Sequence, residues 1–148
     1  MSDKTSAAVA AWEALFRAQV AVLRRLNQEF PTGEISFNEY DMLFNLSRQD
    51  GRQLRIRDLN RHLLLTQPSV SRMVDRLAAR GFVRKESDPG DGRGTFVCLT
   101  DAGYALFLRV AATHAAAITH HVGGALDRDE LRRLRELADK LRGSVDDS

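Results

Sequence analysis

Apolar residues recur at intervals of three and four along most of this chain, which is the spacing of amphipathic helices. The longest such stripe lies within residues 7–30 and comprises Trp12, Leu15, Phe16, Val20, Leu23 and Leu26. Pro31 and Gly33 follow the stripe, and both residues disfavour continuation of a helix. The pattern therefore predicts a long first helix over residues 7–30.

A second helix is predicted behind Ser36, because Ser36 and Glu39 have the spacing of a capping box. Its apolar positions are Phe37, Tyr40, Leu43, Phe44 and Leu46. Asp50-Gly51 is expected to end this helix. A short third helix is predicted over residues 54–64, with Ile56, Leu59 and Leu63 facing inward.

The fourth predicted helix begins at Thr66, a favourable N-cap residue, and carries Pro68 in its first turn. Gly81 is a natural C-terminal stop. Four apolar residues with helical spacing form its predicted buried stripe: Val70, Met73, Val74 and Leu77. The third and fourth helices meet at Leu65-Thr66, which is the arrangement of a helix-turn-helix.

Strand-forming residues replace the helical spacing in the next segment. Residues 82–86 and 95–99 are candidate strands, and Asp88-Pro89-Gly90-Asp91-Gly92 between them is strong turn chemistry. This segment therefore predicts a two-stranded hairpin with a loose tip.

Two further helices are predicted after the hairpin. Thr100 is expected to cap a long helix that ends near His120, and Gly123-Gly124 interrupts the pattern. Its apolar positions are Leu106, Leu108, Val110 and Ile118. Asp127 and Glu130 have capping spacing and open a last helix with Leu131, Leu134, Leu137 and Leu141. Residues 143–148 are expected to fray.

Composition adds limits to this picture. With 148 residues, 43% hydrophobic and 28% charged, the chain is expected to form one globular domain. No apolar run is expected to approach the ~20 residues of a membrane span, and the start has no secretory pattern. The single cysteine, Cys98, excludes an intramolecular disulfide. We therefore expect a cytoplasmic protein that has no membrane partner.

Charge is distributed unevenly along the chain. The net charge is +2, but residues 52–93 alone carry ten Lys and Arg against five Asp and Glu. Such a basic centre is typical of a surface that binds a polyanion such as nucleic acid. A solvated charged face is the alternative interpretation of the same charges.

The fourth helix carries side chains suited to reading DNA. Opposite its buried stripe lie Gln67, Ser69, Ser71, Arg72, Asp75 and Arg76. Small polar side chains near the start of a helix allow close approach to base edges, and arginine can bind guanine with two hydrogen bonds. The free amides of a helix N-terminus also favour a phosphate.

The hairpin tip offers a second contact. Arg93 at the tip is expected to enter a minor groove, whose negative potential attracts arginine. Glycines at 90, 92 and 94 allow the backbone to approach closely, and Asp91 can orient the Arg93 guanidinium. The alternative is an ordinary surface hairpin whose arginine has no role.

These residues together resemble the MarR family of winged helix-turn-helix regulators. The matching segments are TQPSVSRMVDRL at 66–77, GFVRK at 81–85, DPGDGR at 88–93 and VCLTDAG at 97–103. The resemblance implies a mainly α-helical single domain, residues 1–148, with a small β-wing. Within it, residues of about 36–100 would form the winged helix-turn-helix, and those of about 7–30 and 101–143 the dimerisation helices.

The resemblance also implies a homodimer that binds a pseudo-palindromic double-stranded DNA site and is released by a small organic ligand, often a phenolic or aromatic acid. The expected DNA-binding residues are Gln67, Ser69, Ser71, Arg72, Arg76, Arg84, Asp91 and Arg93. The wing departs from the family in one place: Asp91-Gly92-Arg93 stands where the family commonly has Asp-Arg-Arg. One backbone contact is therefore in doubt.

Candidates for sensing a ligand are less specific. Trp12, Phe16, Phe30 and Tyr40 are aromatic residues near the place where the family binds its ligand, and core packing explains them equally well. Cys98 lies in a predicted wing strand and is expected to be a small buried hydrophobe.

No metal and no cofactor are expected. His114 and His121 are seven residues apart and share one helix face, but acidic partners for a metal are not evident near them.

The sequence therefore predicts a sequence-specific DNA-binding transcriptional regulator, a ligand-responsive repressor that acts as a homodimer. The alternative is a winged-helix protein-interaction module that does not bind DNA, which Gly92 favours slightly. An enzyme is not expected, because there is no Gly-rich phosphate loop, nucleophile–base pair or pair of carboxylates on a credible cleft.

Overall fold

The computed structural model describes residues 2–63 and 67–146, apart from the side chains of Gln67, Pro68, Asp91 and Arg93. The predicted turn at Leu65-Thr66 and the Thr66 N-cap lie outside the described residues. The fold is mostly helical with one small antiparallel sheet, which confirms the predicted winged helix-turn-helix class. In chain order the elements are α1 (Asp3–Glu29), α2 (Phe37–Ser47), β1 (Gln53–Arg55), α3 (Ile56–His62), α4 (Gln67–Ala79), β2 (Val83–Asp88), β3 (Asp91–Leu99), α5 (Asp101–Ile118) and α6 (Arg128–Asp146).

The chain divides into two compact units. Residues 30–113 form the first, which we call the winged unit, and residues 1–29 with 114–148 form the second, the terminal-helix unit. The division falls inside α5. The predicted winged segment of about 36–100 lies entirely within the winged unit.

The core of the winged unit is made by the apolar stripes of its helices and the inner face of its sheet. Val70, Val74 and Leu77 of α4 are fully buried, and Met73 nearly so, as the helical spacing predicted. They belong to one cluster with Leu43 and Leu46 of α2, Leu59 of α3, Val97 of β3 and Leu106 of α5. This burial fixes which face of α4 remains outside.

The sheet has three strands in the order β1-β3-β2, all antiparallel. The sequence predicted only two of them. Gln53–Arg55 is a strand rather than the start of the third helix, because its backbone pairs with β3 in the register Gln53↔Cys98 and Arg55↔Phe96. A short turn of 3₁₀ helix (Asp50–Arg52) precedes β1, and Gly51 takes a left-handed conformation there, with φ of 68°.

The hairpin is longer than predicted. β2 runs to Asp88 and β3 begins at Asp91, so the tip is a tight turn at Pro89 and Gly90 rather than a loose loop. Asp88 Oδ1 accepts a hydrogen bond of 2.9 Å from the Gly90 amide, which closes this turn.

Two positions at the base of the hairpin require glycine, one for its backbone conformation and one for close packing. Gly81 adopts a φ of 79° after α4, and the amide of Phe82 donates to the carbonyl of Leu77, as in a Schellman ending. Gly103 lies in the first turn of α5, where an added Cβ would overlap the carbonyl oxygen of Phe82. The Thr100 hydroxyl donates to the Gly81 carbonyl at 2.7 Å, so helix α5 starts directly against the base of the wing.

The predicted caps of α2 and α6 are confirmed. Ser36 and Glu39 exchange the two hydrogen bonds of a capping box, at 3.1 and 2.8 Å. Asp127 and Glu130 do the same ahead of α6, at 2.9 and 3.0 Å. Between α5 and α6, residues Thr119–Gly123 form a wider π-helical turn, which ends at the predicted glycine pair.

The terminal helices differ from prediction at their ends and on their surfaces. Helix α1 begins at Asp3, not at residue 7. Helix α6 continues to Asp146, so the expectation of fraying from 143 is wrong, since Gly143 stays helical. In α5, Leu108 and Ile118 are exposed on the described chain, because the apolar pattern covers more than the face that packs in the core.

Helix α1 corrects one expectation about membranes. This helix is 27 residues long and contains an 18-residue window with a mean hydropathy of 1.2, so it is long and apolar enough to cross a membrane by length and composition. It is the one such helix within residues 2–63 and 67–146. Length and composition do not distinguish a membrane span from a helix that packs against protein.

Candidate nucleic-acid interface

The outer face of α4 has the composition that the sequence predicted. Ser71, Arg72, Asp75 and Arg76 are exposed, and Ser69 is partly exposed. The backbone of Gln67 begins the helix, but its side chain lies outside the described part of the chain. The winged unit therefore presents a polar, arginine-bearing helix face to solvent.

The two arginines of this face differ in their surroundings. Arg72 donates from Nη2 to the Ser69 hydroxyl at 3.3 Å, which links it to the preceding turn of the same helix. Arg76 lies one turn further on, and no ion-pair partner of its guanidinium is present among the described side chains. Arg76 is therefore the better placed of the two to receive an external anion.

Strand β2 carries two cations beside this helix. Lys85 Nζ lies 2.6 Å from Asp75 Oδ1, and this ion pair joins the wing to α4. Arg84 donates from Nε to Glu86 Oε1 at 2.7 Å, and this hydrogen bond raises the pKa of Arg84 and lowers that of Glu86. Arg84 was predicted from the sequence as a DNA-binding residue, but Lys85 was not, because its link to Asp75 joins residues ten apart on different elements.

The backbone of the wing tip is described, but its two key side chains are not. Asp91, Gly92 and Arg93 are the first residues of β3. The predicted contacts of Asp91 and Arg93 concern side chains outside the described part of the chain, so both assignments stay predictions.

The four aromatic candidates for ligand binding lie in both units. Trp12 and Phe16 of α1 are 58% and 52% exposed, with ring centroids 5.8 Å apart. Phe30 and Tyr40 are buried in the winged unit, where Phe30 contacts Phe37 and Tyr40 stacks on Phe107. Burial raises the pKa of the Tyr40 hydroxyl.

One open cleft of about 200 Å³ lies in the winged unit between the segment before α2 and the side of α5. Glu34 and Arg109 form an ion pair of 3.3 Å at its edge. The cleft is lined by Pro31, Gly33, Glu34, Arg109, Val110 and Thr113. The four aromatic candidates are not among these residues.

One cysteine and two histidines were considered from the sequence as candidates for redox or metal sensing. Cys98 is buried, as predicted, and burial raises the pKa of its thiol. His114 is buried, which lowers its pKa, and His121 Nε2 lies 2.8 Å from Glu29 Oε2 within the terminal-helix unit. Among the described residues, no group of three or more His, Cys, Asp and Glu side chains could hold a metal ion.

Comparison with known proteins adds an independent line of support. A model of the MarR family matches residues 34–94, which include α2, α3, α4, β2 and the first residues of β3. The HTH-type transcriptional regulator PecS of Dickeya dadantii is 29% identical over 101 residues, which are 68% of this chain. The chain spans 61% of the length of PecS.

Two solved structures share the fold over nearly the whole chain. Sco3205, a MarR family transcriptional regulator from Streptomyces coelicolor solved in complex with DNA, has a TM-score of 0.76 and 26% identity, covering 97% of this chain and 89% of Sco3205. AbsC, a MarR family transcriptional regulator from the same organism, has a TM-score of 0.74 and 26% identity, covering 97% of both chains. The chain is therefore similar to the MarR family over its winged helix-turn-helix, and its whole fold is similar to these two MarR family structures.

Proposed function

We propose that this chain is a sequence-specific, DNA-binding transcriptional regulator that acts as a homodimer in the cytoplasm. The observation that carries the proposal is the exposed face of α4, where Ser71, Arg72 and Arg76 stand opposite a fully packed stripe. Sco3205, which shares the fold, is known in complex with DNA, and its relationship supports the same partner here. The named relatives are regulators, which supports a binding protein rather than an enzyme.

In this proposal each element has a distinct task on the duplex. Helix α4 enters the major groove, where Arg72 and Arg76 bind guanine edges or phosphates and the serines allow close approach. The hairpin lies along the adjacent backbone, and Arg93 enters the minor groove. Two copies of the chain place two such helices at half-sites ~34–36 Å apart.

The proposed second copy covers apolar surface that the single chain leaves in contact with water. One face of α1 exposes Val9, Trp12, Phe16, Val20 and Leu23, which recur every three or four residues. Helix α6 likewise exposes Leu134, Leu137, Leu141 and Val145. Two long helices with continuous exposed apolar stripes are typical of surfaces that are buried on association.

The DNA proposal is tested by selecting duplexes from a randomised pool with the wild-type chain and measuring affinity between 50 and 200 mM salt. Arg93→Ala is expected to weaken binding to all sequences and to lower the salt slope by about 1. Arg76→Ala is expected to cost ~1–3 kcal/mol and to relax preference at one base pair. Arg135→Ala, an exposed arginine of α6, is the charge-matched control.

The outcome also separates the two interpretations of the fold. If the wild-type chain retains no duplex from the pool at low salt, the proposal fails and the protein-interaction module is favoured. If Arg93→Ala and Arg135→Ala behave alike, the assignment of the wing to DNA fails while the role of α4 stands.

We further propose that DNA binding is relieved by a small aromatic acid, with repression as the unliganded state. Trp12 is the only tryptophan, so its fluorescence reports directly on one of the four aromatic candidates. Salicylate is a suitable first probe: binding near Trp12 or Phe16 is expected to change this fluorescence and to release the selected duplex. Release of the duplex with unchanged fluorescence would favour a site away from α1.

A further inference from the structure

An ion pair with a buried carboxylate joins the first strand of the sheet to the tip of the wing. Arg55 Nη2 lies 2.8 Å from Asp88 Oδ2, without the alignment of a hydrogen bond. The Asp88 side chain is 5% exposed and that of Arg55 is 36% exposed. The carboxylate is therefore nearly removed from water, while the guanidinium remains partly hydrated.

The strand order makes this contact a bridge across the sheet. Since β3 lies between β1 and β2, the Arg55 side chain must cross the central strand to reach Asp88. It does so over Phe96, whose ring centroid is 5.4 Å from the guanidinium carbon and which is the backbone partner of Arg55. The pair thus holds all three strands together at the far end of the wing.

Asp88 also shapes the turn itself. Its other oxygen, Oδ1, accepts a hydrogen bond from the amide of Gly90, the second residue of the tip. The register of β2 against β3 shifts between Ser87 and Asp88, and such an irregularity re-aims the side chain that follows it. One carboxylate therefore closes the tip with one oxygen and fastens it to Arg55 with the other.

We propose that Arg55 and Asp88 form a strap that fixes the wing on the winged unit, and that this strap sets the affinity for DNA although neither residue contacts DNA. The effect of the strap on DNA affinity rests on the proposed DNA-binding function. Two-stranded hairpins are marginally stable by themselves, so an ion pair whose carboxylate is buried at the tip is expected to contribute strongly to the order of the tip. Both residues are positioning residues, since they act through the wing.

The burial asymmetry predicts which partner matters more. Removing Arg55 leaves the buried Asp88 carboxylate without a compensating charge, whereas removing the charge of Asp88 leaves an arginine that water can reach. Arg55→Met is therefore expected to disturb the wing more than Asp88→Asn, which also keeps the Oδ1 acceptor for Gly90. Arg55→Lys keeps the positive charge and is therefore expected to disturb the wing less than Arg55→Met.

The strap is tested first without DNA, by amide hydrogen exchange on the full chain. Asp88→Asn is expected to speed exchange in residues 86–96 by about tenfold while the amides of α4 keep their rates. The matched control is Asp129→Asn, which removes the same charge from an exposed pair with Arg132 on α6. Unchanged exchange in the wing of both Asp88→Asn and Arg55→Met would overturn the strap.

The DNA half is tested with a duplex that the wild-type chain selects from a randomised pool. Asp88→Asn is expected to bind about tenfold more weakly and Arg55→Met more weakly still, both with an unchanged salt slope. The effects are expected to be non-additive, so the double variant should bind no more weakly than Arg55→Met. A slope lowered by about 1 in Arg55→Met alone would instead identify a phosphate contact and overturn the positioning role. If the wild-type chain selects no duplex, the proposed function fails, and the exchange measurement still decides the strap.

Discussion

Lys85 of β2 and Asp75 of α4 form an ion pair of 2.6 Å that joins the wing to the helix proposed to read DNA. Both side chains are about half exposed, at 47% and 62%. Exposed pairs of this kind contribute little to stability, in contrast to a pair whose carboxylate is buried, such as Arg55 with Asp88. Breaking Lys85–Asp75 is therefore expected to cost little stability, whereas breaking Arg55–Asp88 is expected to cost much more.

Asp75→Asn is expected to tighten binding to DNA. The Asp75 carboxylate lies on the proposed DNA-facing side of α4, where it repels phosphates and neutralises Lys85. Its removal frees one cation, so affinity for a duplex of random sequence should rise about threefold to tenfold at 50 mM salt, with a steeper salt slope. Fluorescence anisotropy with a labelled duplex measures both quantities.

The control for this prediction is Asp139→Asn on α6, which changes the net charge equally at an exposed pair with Arg142. It should change affinity much less. Weaker binding by Asp75→Asn at an unchanged slope would contradict the prediction and would show that the pair holds the wing in its binding position.

Gly103→Ala is expected to destabilise the winged unit. A Cβ at this position would overlap the carbonyl oxygen of Phe82 and crowd Leu99, so the start of α5 must move away from the base of the wing. Overpacking of this kind costs ~1–3 kcal/mol. Urea unfolding followed by circular dichroism measures the change in the free energy of unfolding.

Gly143→Ala is the matched control, because Gly143 lies within α6 and an added Cβ there meets no atom within 4 Å. Alanine stabilises a helix interior relative to glycine by ~0.5–1 kcal/mol, so the two substitutions should act in opposite directions. Equal effects would mean that the backbone at Gly103 relaxes without loss.

Elements held by local spacing were predictable from the sequence, and elements held by distant partners were not. The stripe of α4 follows from its own periodicity, and that periodicity also predicted that Ser71, Arg72 and Arg76 would be exposed. Strand β1 has three residues with a single apolar one, Leu54, so it is too short to show a strand pattern. It is a strand only because β3 pairs with it, and no pattern within Gln53–Arg55 shows this.

The candidate site divides in the same way. The arginines of α4 were found from one helix, whereas Lys85–Asp75 and Arg55–Asp88 each join two elements that only the folded chain brings together. Periodicity likewise marked Trp12 and Phe16 as apolar stripe positions, yet both are exposed in the single chain. A repeat of three and four predicts that a face is buried but does not say by which chain.

Phe16→Asp is expected to weaken self-association. Phe16 lies in the middle of the exposed stripe of α1, so a carboxylate there would be buried without a partner in the proposed homodimer. Central aromatic residues of interfaces carry ~2 kcal/mol or more, which corresponds to at least about a 30-fold shift toward monomer. Sedimentation equilibrium over a concentration series measures the shift.

Ala18→Asp on the opposite side of the same helix adds the same charge and should leave the association constant nearly unchanged. Should Phe16→Asp and wild type sediment identically at every concentration, the α1 stripe is not the dimer surface. Far-ultraviolet circular dichroism of both variants checks that α1 remains helical.

The free energy of unfolding is expected to decrease on mild acidification because His114 is buried. Burial lowers its pKa from the ordinary value of 6.5, so the unfolded chain binds a proton more tightly than the folded chain does. Stability from this group is therefore complete above pH 6.5 and decreases as the pH falls from there toward the lowered pKa, with a slope of at most ~1.4 kcal/mol per pH unit. The free energy of unfolding measured from pH 8 to pH 5 at fixed protein concentration tests this.

His114→Gln should flatten the dependence of the unfolding free energy on pH in that window. His121→Gln, at a more exposed histidine, should leave that dependence as it is in the wild-type chain. A wild-type curve that matches that of His114→Gln would contradict the assignment.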